Sequence, residues 1–277
     1  MRLSDRKISV IRRSMAWKGA LLFFGAWGLL DGSGILKGKY TPNFPHMFTN
    51  VSNLFAWGYF ALALLKLARQ EQAQTRAQAQ TRVQAQTQMR RMKAGLKDTA
   101  GAGLKAGVPA EAGAAGNGMS AAGAGEGTGV FAPTAKYTAT ISLLVTMLIA
   151  HFMLFDAMFK DGHIVLHLVW MHYVVPCMAL LDWLFFDEKG KMPLWGPFAW
   201  MSLVVGYLVF TFIAVGVFDV YMGGGTTEEV TKYPYTFLDP AIAGPGGVAS
   251  FCGAMLAAFL LLGYVLYGAD RLLARRG

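Results

Sequence analysis

Only two of the 277 residues are cysteine, Cys177 and Cys252, and both stand inside apolar runs. A thiol in such surroundings behaves as a small buried hydrophobe, so the chain offers no disulfide framework and no redox pair. Charge is also scarce, at 15% of residues, and acidic groups are the scarcer sign, with 16 Asp and Glu against 25 Lys and Arg. No HExxH or comparable metal-ligand motif occurs. No small-residue cleavage site follows the Arg12-Arg13 pair, which argues for an uncleaved first membrane helix rather than a secretion signal. The first three apolar blocks show no similarity to the last three, which speaks against the related halves of a transporter.

What the chain has instead is apolar length. Hydrophobic residues make up 55% of it and fall in long blocks rather than at amphipathic spacing, the composition of an integral membrane protein. The blocks run from about Met15 to Leu36, Phe48 to Leu67, Thr138 to Phe159, His163 to Phe186, Trp195 to Phe218 and Gly247 to Tyr267. About 20 apolar residues cross a hydrocarbon core, so six spans are expected in an all-α polytopic fold. The net charge of +9 would suggest nucleic acid if it formed one patch, but the basic residues lie in alternate loops. The N-terminal segment through Lys18, the loop 66–137, the loop 187–194 and the C-terminal tail hold 6, 10, 2 and 3 Lys and Arg. Only Lys37, Lys39, Lys160 and Lys232 fall on the other side. Basic loops stay cytoplasmic, so both termini are expected inside a plasma (inner) membrane, with the bilayer as partner and no nucleic acid.

One membrane domain follows, with two helices in 1–69 and four in 136–277, separated by a low-complexity cytoplasmic segment at 70–135. That segment opens with near-repeats AQTRAQ, AQTRVQ and AQTQMR, good helix formers that can extend the second helix. It continues as an Ala/Gly-rich stretch with too few large apolar groups to fold. Its arginines suit anionic headgroups, but a solvated insert explains the composition as well.

Ionisable groups inside apolar spans are costly and mark functional sites. All five histidines fall in the outer half by this topology. His46 lies at the mouth of span two, and His163 and His167 open span four. His151 and His172 lie roughly 12 to 14 Å deep at 1.5 Å per residue. Thr49, Asn50, Ser52 and Asn53 start span two, and Asp156 ends span three. His163 and His167 at i and i+4 would share a helix face and could bind a metal with His46 or Asp156; without a motif, no metal and no cofactor are expected. The second chemistry is a hydroxyl nucleophile with a histidine base: Thr49 attacking an ester, His172 taking its proton, and Asn50, Asn53 or His151 orienting groups or stabilising an oxyanion. Interhelical hydrogen bonds that simply hold a bundle together account for the same residues, and the residues alone leave both readings open. Pro176 should bend the fourth span and free backbone groups near His172. Asp182 beside Trp183 reads as a snorkelling or capping residue, and Trp195 and Trp200 read as interface anchors. The link YPYTFLDP, with three aromatics and two prolines, reads as a rigid turn into the sixth helix or a lid over the outer face.

The segments MFTNVSNL (Met47 to Leu54), WMHYVVPCMALLDWLFF (Trp170 to Phe186) and YPYTFLDP (Tyr233 to Pro240), in that order, resemble the androgen-induced-protein family of integral membrane proteins. The likeness is greatest to its bacterial six-helix relatives and covers nearly all the chain outside about 70 to 135. Animal members are threonine hydrolases of fatty acid esters of hydroxy fatty acids that use one intramembrane threonine and one histidine. Thr49 after Phe48 matches their threonine, and His172 after Met171 matches their histidine; the proline four residues on, and the Asp182-Trp183 pair, are of the bacterial type. The resemblance therefore implies an intramembrane fatty acyl ester hydrolase. The alternative from another class is a non-enzymatic membrane protein, a transporter or structural bundle.

Overall fold

The computed structural model describes residues 3–101, 132–153, 155–160, 162–223 and 231–275. Its elements are α1 (Leu3–Gly32), α2 (Phe48–Gly101), α3 (Pro133–Met153), a two-residue antiparallel ladder of β1 (Phe159–Lys160) and β2 (His163–Ile164), and α4 (Leu166–Val169). A π-helical turn, Trp170–Val174, leads into α5 (Val175–Phe186), followed by α6 (Gly196–Trp200), α7 (Ser202–Gly216) and α8 (Pro240–Ala274). The fold is a helix bundle, and five of its helical stretches are long and apolar enough to cross a membrane: α2, α3, α4 through α5, α6 through α7, and α8. Large apolar side chains such as Phe23, Leu62, Phe185, Phe210 and Leu261 point outward. Water would not tolerate so much exposed apolar surface, but lipid does.

The helix α3 is the axis. Every residue from Lys136 to Thr146 is buried. Tyr137, Ile141 and Val145 face one apolar cluster with Phe48, Trp183, Trp200 and Phe259, while Ala139 and Leu143 face a second with Leu21, Phe60 and Ala179. Trp200 is thus a core residue, 1% exposed and packed on Tyr137 at 5.1 Å, rather than an interface anchor.

Span three ends at Met153, six residues before the expected boundary, and the fourth helix starts at Leu166, because the hairpin takes 159–164. His163 consequently stands on β2 while His167 stands on α4, so the shared helix face that a metal would need is not formed. Among the described residues no group of three metal-ligating side chains assembles. The segment 70–101 continues α2 for a total of 54 residues, as its Ala, Gln and Arg content allows. The Ala/Gly-rich stretch from 102 to 131 lies outside the described residues.

At one end of the bundle Asp182 is fully buried and meets Lys18 Nζ of α1 at 2.6 Å and Lys136 Nζ of α3 at 2.7 Å. Lys136 also pairs with Asp187. Asp182 is neither snorkelling nor capping. It ties three helices together, and it also explains how α1 carries a lysine within its apolar run.

At the other end, α1 presses on the segment that holds His172. Gly28 and Gly32 form a small-xxx-small pair. A methyl group on Gly28 would sit 2.7 Å from Met171 Cγ, and one on Gly32 would sit 3.0 Å from Phe44 and 3.2 Å from His167. Glycine is needed here for close approach.

Candidate active site

Thr49 is the second residue of α2, in the first turn where backbone N–H groups have no intrahelical acceptor. His172 sits six residues into the fourth span, about 9 Å from its start at 1.5 Å per residue. The two meet: Thr49 Oγ1 lies 3.1 Å from His172 Nε2, and both residues are buried.

The local cause of His172's placement is Pro176. Proline has no N–H, so the carbonyl four residues back, that of His172, loses its helical donor, and the proline ring crowds it. The chain relieves this by widening into the π turn, where the Val175 N–H reaches back to the Trp170 carbonyl. Such turns recur at functional sites. Within it, His172 Nδ1 lies 2.8 Å from the Leu168 carbonyl oxygen. A carbonyl can only accept, so Nδ1 carries the proton and Nε2 is the bare lone pair. It follows that the Thr49 hydroxyl donates to Nε2. This is the tautomer a general base requires, fixed by the backbone of its own helix.

Asn53 locks the pair in register. Its amide donates to the Thr49 carbonyl at 2.8 Å and to the Met171 carbonyl at 3.2 Å, tying α2 to the π turn. With both amide protons engaged, Asn53 orients the site and has no donor left for an oxyanion. Asn50 donates to the Phe44 carbonyl and lines the same cavity as Thr49, with its Oδ1 unpartnered among the described residues. His151 is not brought in. It lies in the last turn of α3, exposed, 3.2 Å from the Tyr173 hydroxyl, because α3 stops two residues later. His46 uses its carbonyl to accept from Tyr207 at 2.8 Å and is likewise not a wall of the cavity. His167 is a wall residue, and Asp31 holds its Nδ1 at 3.1 Å while Lys37 pairs with the same carboxylate.

No protein-family model, curated protein or solved structure matches the chain.

The cavity measures about 320 Å³ and is bounded by Phe44, Met47, Thr49, Ala150, Met158, Leu168, Met171 and His172 among others. Most of its wall is apolar, with the Thr49-His172 pair as a polar point inside it, which is the usual composition of a small-molecule site. Another wall residue is Tyr235, from the link ahead of α8. The sequence pointed to this link as a turn or lid. The turn is present: Thr236–Leu238 form a 3₁₀ turn, and Asp239 caps α8 by accepting from the Ala241 N–H at 2.8 Å. Tyr235 itself was not among the candidate site residues, although three aromatics in so short a link were the available signal.

Proposed function

We propose that the protein is an intramembrane hydrolase of fatty acyl esters, with Thr49 as nucleophile and His172 as general base. The observation that carries this reading is the Thr49 Oγ1 to His172 Nε2 contact in an apolar-walled cavity, with the imidazole proton held on the other nitrogen by Leu168. As Thr49 Oγ1 bonds to the ester carbonyl carbon, its proton passes to Nε2. The imidazolium then protonates the departing alkoxide, leaving an acyl-threonine and a free alcohol. Water, deprotonated by the same nitrogen, attacks the acyl carbon and releases the carboxylic acid, returning the proton to Thr49. Polar residues that merely cemented helices would not need the cavity at their meeting point.

The proposal includes six spans with both termini cytoplasmic in a bacterial plasma membrane, so that the site opens toward the outer leaflet, where acyl chains enter sideways. The Lys and Arg distribution supports this orientation, and the pairing of Lys18 with Asp182 supports α1 as a sixth span. The resemblance to the androgen-induced-protein family agrees with the assignment of Thr49 and His172 on motifs alone.

The test is hydrolysis of a panel of fatty acyl esters by the purified protein beside Thr49→Ala and His172→Ala, with fluorophosphonate labelling as the second readout. Both variants should lose turnover, and Thr49→Ala should lose labelling. Equal labelling of Thr49→Ala and parent overturns the nucleophile, and a parent inert to every ester returns the chain to the non-enzymatic reading.

A further inference from the structure

The Thr49-His172 pair supplies a nucleophile and a base, but ester hydrolysis also needs a donor for the charge that develops on the carbonyl oxygen. The donors nearest the pair are largely engaged. Asn53 gives both protons to carbonyls, and Asn50 gives one to Phe44. The Thr49 hydroxyl is directed to His172. Asn50 keeps its second amide proton, and the Tyr235 hydroxyl, which lies against Thr49, is a further group in the cavity wall with a proton to offer.

Its setting is specific. The Phe48 N–H, at the free N-terminal end of α2, donates to Tyr235 Oη at 3.1 Å, so the phenol oxygen does the work of a helix cap supplied from a distant segment. The phenol also lies against the side chain and backbone of Thr49. An oxygen that accepts from a backbone N–H becomes a stronger donor through its own O–H, because hydrogen bonds in series polarise one another. Burial pushes the Tyr235 phenol above its ordinary range, so the proton stays in place at every physiological pH. The ring is held by stacking on Phe237, with centroids 5.0 Å apart and planes 8° from parallel.

We propose that Tyr235 is the oxyanion donor of this site: its O–H, aimed into the cavity beside Thr49, hydrogen-bonds the ester carbonyl oxygen as that oxygen becomes the tetrahedral oxyanion. The inference rests on the hydrolase reading above. When Oγ1 bonds to the carbonyl carbon, the carbonyl π pair moves onto oxygen, the Thr49 proton moves to His172, and the phenol keeps its own proton throughout. When the tetrahedral intermediate collapses, that pair re-forms the carbonyl and the alcohol leaves. The substrate class is thereby narrowed to acyl groups that present a carbonyl oxygen, since sulfur in place of that oxygen accepts hydrogen bonds poorly.

The experiment compares the parent with Tyr235→Phe and Thr49→Ala, full-length in detergent, on one fatty acyl ester and its thionoester, which carries C=S in place of C=O. The phenylalanine keeps the stacked ring. Tyr235→Phe should lower kcat on the oxygen ester by on the order of 10²-fold, as loss of one oxyanion donor does, with KM little changed. It should also shrink the parent's preference for the oxygen ester over the thionoester; this ratio does not depend on how much of the protein is folded. An unchanged kcat, or a lowered kcat with the preference intact, overturns the oxyanion role and leaves Tyr235 as a cap on α2. A parent without activity, or Thr49→Ala as active as the parent, overturns the hydrolase reading and this one with it; Tyr235→Phe alone can fail without touching Thr49.

Discussion

Replacing Gly28 by alanine is the sharpest test of how the bundle positions its histidine. The added carbon would stand 2.7 Å from Met171 Cγ and 3.4 Å from Trp170 Cβ. Carbon atoms rest at about 3.5 to 4.0 Å, so α1 and the π turn must separate by about 0.8 Å or more. Met171 cannot swing aside cheaply, because the clash is near the base of its side chain and the residue is 2% exposed. The displacement therefore reaches the backbone of Met171 and its neighbour His172. Overpacking of this kind costs about 1 to 3 kcal/mol, partly offset by the ~1 kcal/mol that alanine contributes over glycine in a helix. The net destabilisation should be about 0 to 2 kcal/mol, a fall in Tm of no more than about 8 °C for a chain of this size. Activity should suffer far more, since a misplacement near 1 Å can cost 10²-fold in rate. The assay is ester hydrolysis per folded molecule, with thermal unfolding in the same detergent. Gly19→Ala, on the same helix with nothing within 4 Å of the new methyl, is the matched control and should keep full activity. Gly28→Ala as active as Gly19→Ala would refute the idea that α1 sets the Thr49-His172 distance.

Two further outcomes separate the site from the scaffold. Asp182→Ala strands Lys18 and leaves Lys136 only Asp187; breaking a buried pair costs about 3 to 5 kcal/mol, so Tm should fall by on the order of 6 to 20 °C. Hydrolysis at low temperature should stay within about twofold, because Asp182 lies ten residues, about 15 Å, along the span from His172; an unchanged Tm would show that the cluster is not holding the helices. Pro176→Ala restores the N–H that a regular helix directs to the His172 carbonyl, so the π turn should close and kcat drop by on the order of 10²-fold, with Tm held or raised. Full activity in that variant would mean the π turn has another origin.

The helices were legible because long apolar runs have few alternatives, and the loop 70–101 could be read as helix from its Ala, Gln and Arg content. Boundaries were harder. The Asp161-Gly162 dipeptide was the available hairpin signal, but the apolar residues on either side of it extend the runs of spans three and four, so the hairpin that removed His163 from a helix and left His151 near a helix end was read as a link between spans. Thr49 and His172 stand 123 residues apart, and no periodicity relates them; the motifs nominated both, but their contact is a tertiary fact. Tyr235 was hidden for the same reason, since a tyrosine in a proline-rich link reads as packing until the cavity beside it is seen. The Gly28 and Gly32 spacing stood in the sequence unread, and the close approach it permits became visible only with Met171 packed against it. Asp182 was misjudged because its partners come from α1 and α3, and charge in a span looks like an interface residue until opposite charge from distant segments is placed against it.

The charge cluster also bears on how the bundle is made. Lys18, Lys136 and Asp182 belong to three separate helices, and with Asp187 their formal charges sum to zero only when all three helices are together. A chain emerging from the ribosome presents them one at a time, and each leaves an uncompensated charge against lipid until the others arrive. No pair of these helices satisfies the set. Assembly is thus gated on α5, the last of the three to be synthesised and the continuation of the π turn that holds His172, so a bundle that is electrically complete at one end has that histidine already in the chain at the other.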